Sequence, residues 1–348
     1  MDRNGHDPVR VALLGAGRMG SAHGRTLAGL RGATPAVVVD PDGDRAARLA
    51  GEIGAPRWQT DPDAALADPA VDAVVIAAPA RRHADLVVAA AGAGKAVFCE
   101  KPMALTLADA DRAITAAAAA GVPLQVGFNR RFAPDWAAAR RRLDDGTLGT
   151  PRLLRSVTRD PGGFDPALVP PDGIFLETLI HDFDALRFLN PGAAAIEVSA
   201  TADALVEPAW RDRGLLDTAV VVVRFDNGAI GTAEACFEAV YGYDVRGEVL
   251  GAGGMATMGD GRRTGMVLSG PAGRAVETAR SDQELFAGAY IAELAAFVDA
   301  VRTGGPAPVT GVDARAALQI ALAAAASVRA GRPVRTDAVI AGPSSARR

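Results

Sequence analysis

A short glycine-patterned turn constrains this chain more than any other feature. Gly15-Ala16-Gly17-Arg18-Met19-Gly20 fits the pattern G-x-G-x-x-G. It follows the apolar run 9–14, which reads as a buried strand, and opens residues 19–30, which fit a helix. In a strand–turn–helix unit the first glycine permits the tight turn. The second lets the backbone approach a pyrophosphate with no Cβ in the way, and the third allows close helix–strand packing. The helix start, with Arg18 and Met19 in its first turn, offers unpaired N–H groups to phosphates. Asp40 lies 20 residues beyond Gly20, at the end of the next strand-like run. A carboxylate there accepts hydrogen bonds from the adenosine ribose and repels a 2′-phosphate. Pro41 follows it rather than a cation, so the pattern predicts NAD in preference to NADP.

The rest of residues 1–128 keeps alternating strand-like and helix-like segments, which predicts a parallel sheet covered on both faces. After residue 128 the rhythm changes. A helix is expected at 134–143, a strand at 152–158, a Pro/Gly-rich loop at 160–173 and a helix at 176–189. Strand-like runs at 218–225, 229–237 and 243–251 then read as an antiparallel meander, with Asp226-Asn227-Gly228 as a hairpin turn. Short strands at 254–258 and 265–269 would extend it, before helices at 289–303 and 312–330. The expected organisation is α/β: a dinucleotide-binding Rossmann domain at 1–128, a largely antiparallel α/β domain for substrate and oligomerisation at 129–336, and a loose tail at 337–348.

The 348 residues carry 37 Lys plus Arg against 41 Asp plus Glu, a net charge of -4, which argues against a nucleic-acid binder working through a general basic field. The two cysteines, Cys99 and Cys236, are far apart, so neither a zinc ribbon nor a disulfide framework is expected. The start, MDRNGHDP, has no apolar run of the signal-peptide kind, and no uninterrupted apolar stretch reaches the roughly 18 residues of a membrane helix. A soluble cytoplasmic protein is the expectation, with no metal, membrane or nucleic-acid partner.

Three polar segments fall where the pattern predicts strand ends or a special helix. Phe98-Cys99-Glu100-Lys101-Pro102 puts Lys101 just past a strand's carboxyl end, the edge at which open parallel sheets bind ligands. Gly127 to Phe132, containing Asn129, Arg130 and Arg131, follows the next strand. In the third, Glu177 and His181 are four apart on a predicted helix and share a face, with Asp184 on nearly the same stripe. A carboxylate beside an imidazole fixes its tautomer and favours its charged form, as a proton-transfer residue near neutral pH requires. Without further context the same spacing also describes a solvated surface helix.

With these segments in order, the chain resembles the Gfo/Idh/MocA oxidoreductases, and most closely their inositol dehydrogenase branch. The resemblance rests on Gly15 to Gly20, the stretch 91–102 ending in Glu100-Lys101-Pro102, Gly127 to Phe132, Gly173-Ile174-Phe175, His181 to Asp184, 292–297 and Gly331 to Val334. It implies NAD at the strand ends of the first domain and a polyol between the nicotinamide and the second domain's sheet. It further implies that Lys101 donates to the reacting hydroxyl and that His181 takes its proton. Pro79, His83 and Glu100 are implied near the cofactor, and Asn129, Arg130, Asp165 and Tyr243 near the substrate. For Arg130, a structural salt bridge is the competing reading; for Asp165, turn formation beside Pro166; for His83, a packed histidine. A dimer or tetramer through the second domain's sheet is also implied.

One departure stands out. Family dehydrogenases usually carry Asp four residues before the histidine, where this chain has Glu177. Three readings are open: Glu177 orients His181 through another rotamer, it reshapes the pocket for a different polyol, or it weakens the chemistry. Oxidation of a myo- or scyllo-inositol-type cyclitol is the leading expectation. An aldose, aminocyclitol or keto-sugar enzyme, and a catalytically silent NAD-binding regulator, are the alternatives.

Overall fold

The computed structural model describes residues 7–339. They form two units. The first comprises the chain up to Asn129 together with Tyr290–Arg315. Its six-stranded sheet contains β1 (Val9–Leu14), β2 (Ala33–Val39), β3 (Trp58–Gln59), β4 (Ala73–Ile76), β5 (Ala96–Cys99) and β6 (Leu124–Val126). The order is β3-β2-β1-β4-β5-β6 and every pair is parallel. β4 and β5 are buried at every position, as strands covered on both faces must be. The strand order reverses between β1 and β4, and the crevice outside the carboxyl ends at such a point is where these sheets bind ligands.

The first unit is discontinuous, a return of the chain that the division into 1–128 and 129–336 does not include. Leu294, Phe297 and Val298 of the Ala287–Thr303 helix join the same core as Leu27, Val75 and Phe98, and the Phe98 and Phe297 rings meet edge to face at 5.8 Å. Each large apolar side chain buried this way contributes about 1.5–3 kcal/mol. The helical period reveals an apolar face but not which sheet that face will cover.

The second unit runs from Arg130 to Ala289 and resumes at Ala316. Its strands are β7 (Pro151–Arg159), β8 (Ala195–Asp203), β9 (Thr218–Phe225), β10 (Ile230–Cys236), β11 (Asp244–Gly251), β12 (Met255–Met258), β13 (Arg262–Gly270), β14 (Gly273–Thr278) and β15 (Val334–Arg335). Seven form one sheet in the order β12-β11-β7-β10-β9-β8-β15, while β13 and β14 pair only with each other. The expected meander is therefore interrupted. β7 lies between β10 and β11 and runs parallel to β10, although the remaining pairs are antiparallel. On β9, Ala219, Val221, Val223 and Phe225 turn inward while Val220 and Val222 stay open. The Leu179–Phe188 helix packs on the inner face. It comes so close at Gly231 that a Cβ there would stand 3.0 Å from Leu186.

The Gly311–Ala330 helix is long and apolar enough to cross a membrane by length and composition. Its Ala317, Leu318, Ile320, Ala321 and Ala324 side chains are instead buried in the fold, and a core helix passes the same test. Most of the expected tail, from residue 340 on, lies outside the described residues.

Candidate active site

The first unit builds a cradle for a dinucleotide at the carboxyl ends of β1 and β2. Gly15 has φ +107°, and a Cβ there would lie 2.6 Å from the Ala77 carbonyl oxygen. A Cβ at Gly20 would lie 1.9 Å from the Gly15 oxygen, so both positions exclude any side chain. Gly17 differs: a Cβ there would meet no described atom within 4 Å, which leaves its backbone bare toward open space. Gly17 also caps the Arg18–Gly29 helix without a side-chain hydrogen bond. Arg18 is exposed and Met19 half-buried.

Asp40 is buried at the end of β2. Its Oδ2 accepts from Ala16 N at 2.8 Å and its Oδ1 from Asp42 N at 2.9 Å, which ties the glycine turn to the sheet. Each carboxylate oxygen has a second lone pair, and those are the ones a ribose would engage. These features fit NAD: a close-approach backbone, a helix N-terminus without a side-chain cap, and an acid where a 2′-phosphate would be repelled.

Lys101 stands half-buried past the end of β5, and the Lys101–Pro102 peptide is cis. Pro79 is exposed and starts the short turn at Ala80–Arg82. Two of the residues expected near the cofactor have protein partners here. His83 is enclosed, with Nδ1 2.8 Å from the Pro102 carbonyl oxygen and Nε2 2.7 Å from that of Ala78. Burial pulls its pKa down, although the two carbonyls work the other way. His83 thus braces the loop after β4 against the loop after β5. Glu100 is likewise internal. Its Oε2 accepts from Lys101 N at 3.1 Å, and its Oε1 lies 2.6 Å from His23 Nε2. Burial raises the Glu100 pKa, but the His23 hydrogen bond and the nearby positive groups outweigh it, so the carboxyl is held below its usual range.

In the second unit the helix carrying His181 begins with one π turn, Ile174–Thr178, before the α-helix Leu179–Phe188. The expected helix at 176–189 is therefore not uniform. Such wide turns occur often at functional sites. Glu177 lies in the π turn with its side chain exposed, and His181 is half-buried in the first α turn.

The residues flanking His181 hold that helix to the sheet. Asp182 is fully buried and accepts from Arg130 Nη1 at 2.7 Å, Ser156 Oγ at 2.6 Å and Thr158 Oγ1 at 2.8 Å. Arg130 Nη2 also donates to Thr158 Oγ1 at 2.7 Å. Asp184 takes a two-pronged bond from Arg131, at 2.8 and 2.6 Å. Both arginines are thus engaged by buried carboxylates, the salt-bridge arrangement that competes with substrate binding as a reading of Arg130. The exposed Asp165 side chain accepts from Ala167 N at 2.8 Å and so shapes its own turn, the competing reading given for it. Asn129 is buried at the start of the Asn129–Phe132 turn. Tyr243 is half-buried just before β11, and burial, with Asp160 adding, pushes its phenol well above the usual range.

Ser156, Thr158 and Glu293 were missed in the sequence reading. The first two carried a signal, since they take two inward positions of β7 where apolar residues would be expected. His23 and Glu293 acquire meaning only from residues far away in the chain.

Residues 9–128 match the family described as "Oxidoreductase family, NAD-binding Rossmann fold", and residues 136–257 match the C-terminal domain of the same family. The chain is 38% identical to the scyllo-inositol 2-dehydrogenase (NAD(+)) of Bacillus subtilis, covering 94% of this chain and 96% of that one. It is 37% identical to the myo-inositol 2-dehydrogenase of Thermotoga maritima, over 95% of this chain and 100% of the relative. Among solved structures, the scyllo-inositol dehydrogenase of Lactobacillus casei with bound NAD(H) and scyllo-inositol superposes with a TM-score of 0.91 at 25% identity, covering 95% of this chain and 100% of that one. Whole-length likeness in both units, joined to a glycine cradle whose Gly17 leaves the backbone open to a closely approaching ligand, shows that the chain belongs to the Gfo/Idh/MocA family of NAD-dependent oxidoreductases acting on a CH–OH group.

Proposed function

We propose that the protein oxidises a secondary hydroxyl of a cyclitol, of the myo- or scyllo-inositol type, to the ketone. The observation that carries this reading is the 38% identity, over nearly both full chains, to a scyllo-inositol 2-dehydrogenase. NAD, when bound, supplies the hydride acceptor. The residues do the rest. An alcohol carbon that loses hydride while keeping its O–H proton becomes a protonated ketone, so a base must act in step. His181 is that base and takes the hydroxyl proton. Lys101 donates a hydrogen bond to the same oxygen and stabilises the charge that develops there. The Gly15–Gly20 turn and the Asp40 carboxylate hold the dinucleotide, and Glu177 and Tyr243 border the polyol.

A panel of inositol stereoisomers and aldoses, followed by NADH absorbance, tests the substrate. Silence on every inositol with turnover on an aldose removes the cyclitol reading. Lys101→Ala and His181→Ala are each expected to lose most turnover with NAD affinity nearly unchanged. Parallel loss of NAD binding would make both residues structural.

A second substrate reading, an aminocyclitol or sugar dehydrogenase, is favoured by Glu177. It also draws on the likeness to GenD2 from gentamicin A biosynthesis, at a TM-score of 0.84 and 28% identity. A silent regulator would bind NAD tightly and turn over none of the panel. Val220, Val222, Ile230 and Leu153 leave the outer face of the second unit's sheet partly apolar, and this supports a dimer or tetramer formed through that face. The two free cysteines suit the reducing cytoplasm where NAD is held.

A further inference from the structure

Beneath Lys101 lies a buried polar cluster that the reaction described above does not use. Glu100 occupies its centre. The end of β6 makes room for it, since a Cβ at Gly127 would sit 3.3 Å from the Glu100 carboxyl. One carboxylate oxygen holds the Lys101 backbone N–H, and the other pairs with His23 Nε2 at 2.6 Å. The His23 ring is itself fixed, edge to face with Phe98 at 5.3 Å and with Tyr290 at 6.0 Å. His23 rides on the Arg18–Gly29 helix, whose start would receive the dinucleotide phosphates. Glu293 closes the third side. It is fully buried, and its two carboxyl oxygens have no hydrogen-bond partner among the described residues.

We propose that His23 is a positioning residue for Lys101: by clamping Glu100 it locks the lysine's backbone to the helix on which the cofactor is seated. The inference rests on the reading of Lys101 as donor to the reacting hydroxyl. A lysine side chain has a long flexible stem, so the backbone atom from which it springs must be fixed if its ammonium is to meet one oxygen. Displacements of about 1 Å in such a site cost on the order of 100-fold in rate. Glu293 lies beside this pair. Burial, reinforced by the neighbouring Glu100, pushes its pKa well above the carboxylate range.

A metal ion is the competing occupant, since His23, Glu100 and Glu293 place their ligand atoms within 4.8 Å of one another. The 2.6 Å separation of His23 and Glu100 argues for a shared proton. Two ligands on a tetrahedral zinc with bonds of about 2.0–2.1 Å stand about 3.3 Å apart.

The test compares His23→Leu, which keeps the packing volume and removes the nitrogen, with His23→Gln, whose amide nitrogen reaches about as far as Nε2. Both are assayed with the fastest substrate of the polyol panel, alongside NAD titrations. H23L is expected to lower kcat at least tenfold, with KM and NAD Kd within threefold of wild type, and H23Q to recover kcat to within threefold. Should H23L not fold, His23→Asn, too short to reach Glu100, takes its place. Crystal structures of the wild type and of the disrupting variant read the tether directly, with Lys101 Cα expected to move by about 1 Å. The inference is overturned if the disrupting variant keeps kcat within twofold, if H23Q loses as much as H23L, if Lys101 does not move, or if chelation abolishes turnover in an enzyme holding one divalent ion per chain. Lys101→Met separates the two layers. Full turnover in K101M sinks the lysine's role itself, whereas a silent K101M beside a normal H23L sinks only the positioning role.

Discussion

Replacing Arg130 by methionine probes whether the buried arginine is a strut or a substrate ligand. Its side chain is 4% exposed and that of Asp182 0%, and the pair is 2.7 Å apart. Arg130→Met removes that bond and the 2.7 Å bond to Thr158, and leaves Asp182 with only the Ser156 and Thr158 hydroxyls. Removing one partner of a buried pair costs about 3–5 kcal/mol, because the remaining charge stays desolvated. For a unit of this size that corresponds to a fall in Tm of about 6–20 °C. Trp136 and Trp210 both lie in the second unit, so their fluorescence follows its unfolding. The double variant Arg130→Met with Asp182→Leu is expected to be more stable than R130M alone, since it removes the orphaned charge. Because Asp182 adjoins His181, R130M should also lower kcat. If R130M melts within 2 °C of wild type while KM for the polyol rises tenfold or more, the strut assignment is wrong and Arg130 binds substrate.

Glu293→Leu should alter how stability depends on pH. The native acid keeps its proton at pH values where the unfolded chain, with its ordinary value of 4.5, has lost it. The folded state then binds more protons, so this group's stabilisation is complete below pH 4.5 and declines as pH rises, by up to about 1.4 kcal/mol per pH unit. E293L lacks that slope and should gain on wild type between pH 5 and pH 8 in denaturant melts; parallel curves would refute the neutral-acid assignment. Asp40→Ala should weaken NAD more than NADP, and an unchanged preference in binding titrations would discredit the ribose role. Glu177→Asp is expected to change the ranking of substrates across the panel at least threefold while Tm moves little, because the side chain is exposed. An unaltered ranking would remove Glu177 from the substrate's path.

Much of the first unit could be read directly from residue order. The glycine turn, the acid at the end of β2 and the all-apolar strands β4 and β5 obey stereochemical and solvation rules that act within a few residues of one another. For the same reason Lys101 and His181 were legible as candidates: each lies just past or just inside an element whose boundary local chemistry marks. Tertiary structure alone decided the rest. Alternation along β10 and β11 marks both as strands but cannot say that β7 will slip between them. An apolar helical face at Leu294 and Phe297 does not announce that it will close the first unit's core. Arg130, Glu100 and His83 are polar at positions that look ligand-facing. Asp182, His23 and the Pro102 carbonyl reach them from elsewhere in the chain, because a buried polar group must find its partner wherever the fold brings one, and sequence distance carries no record of that meeting.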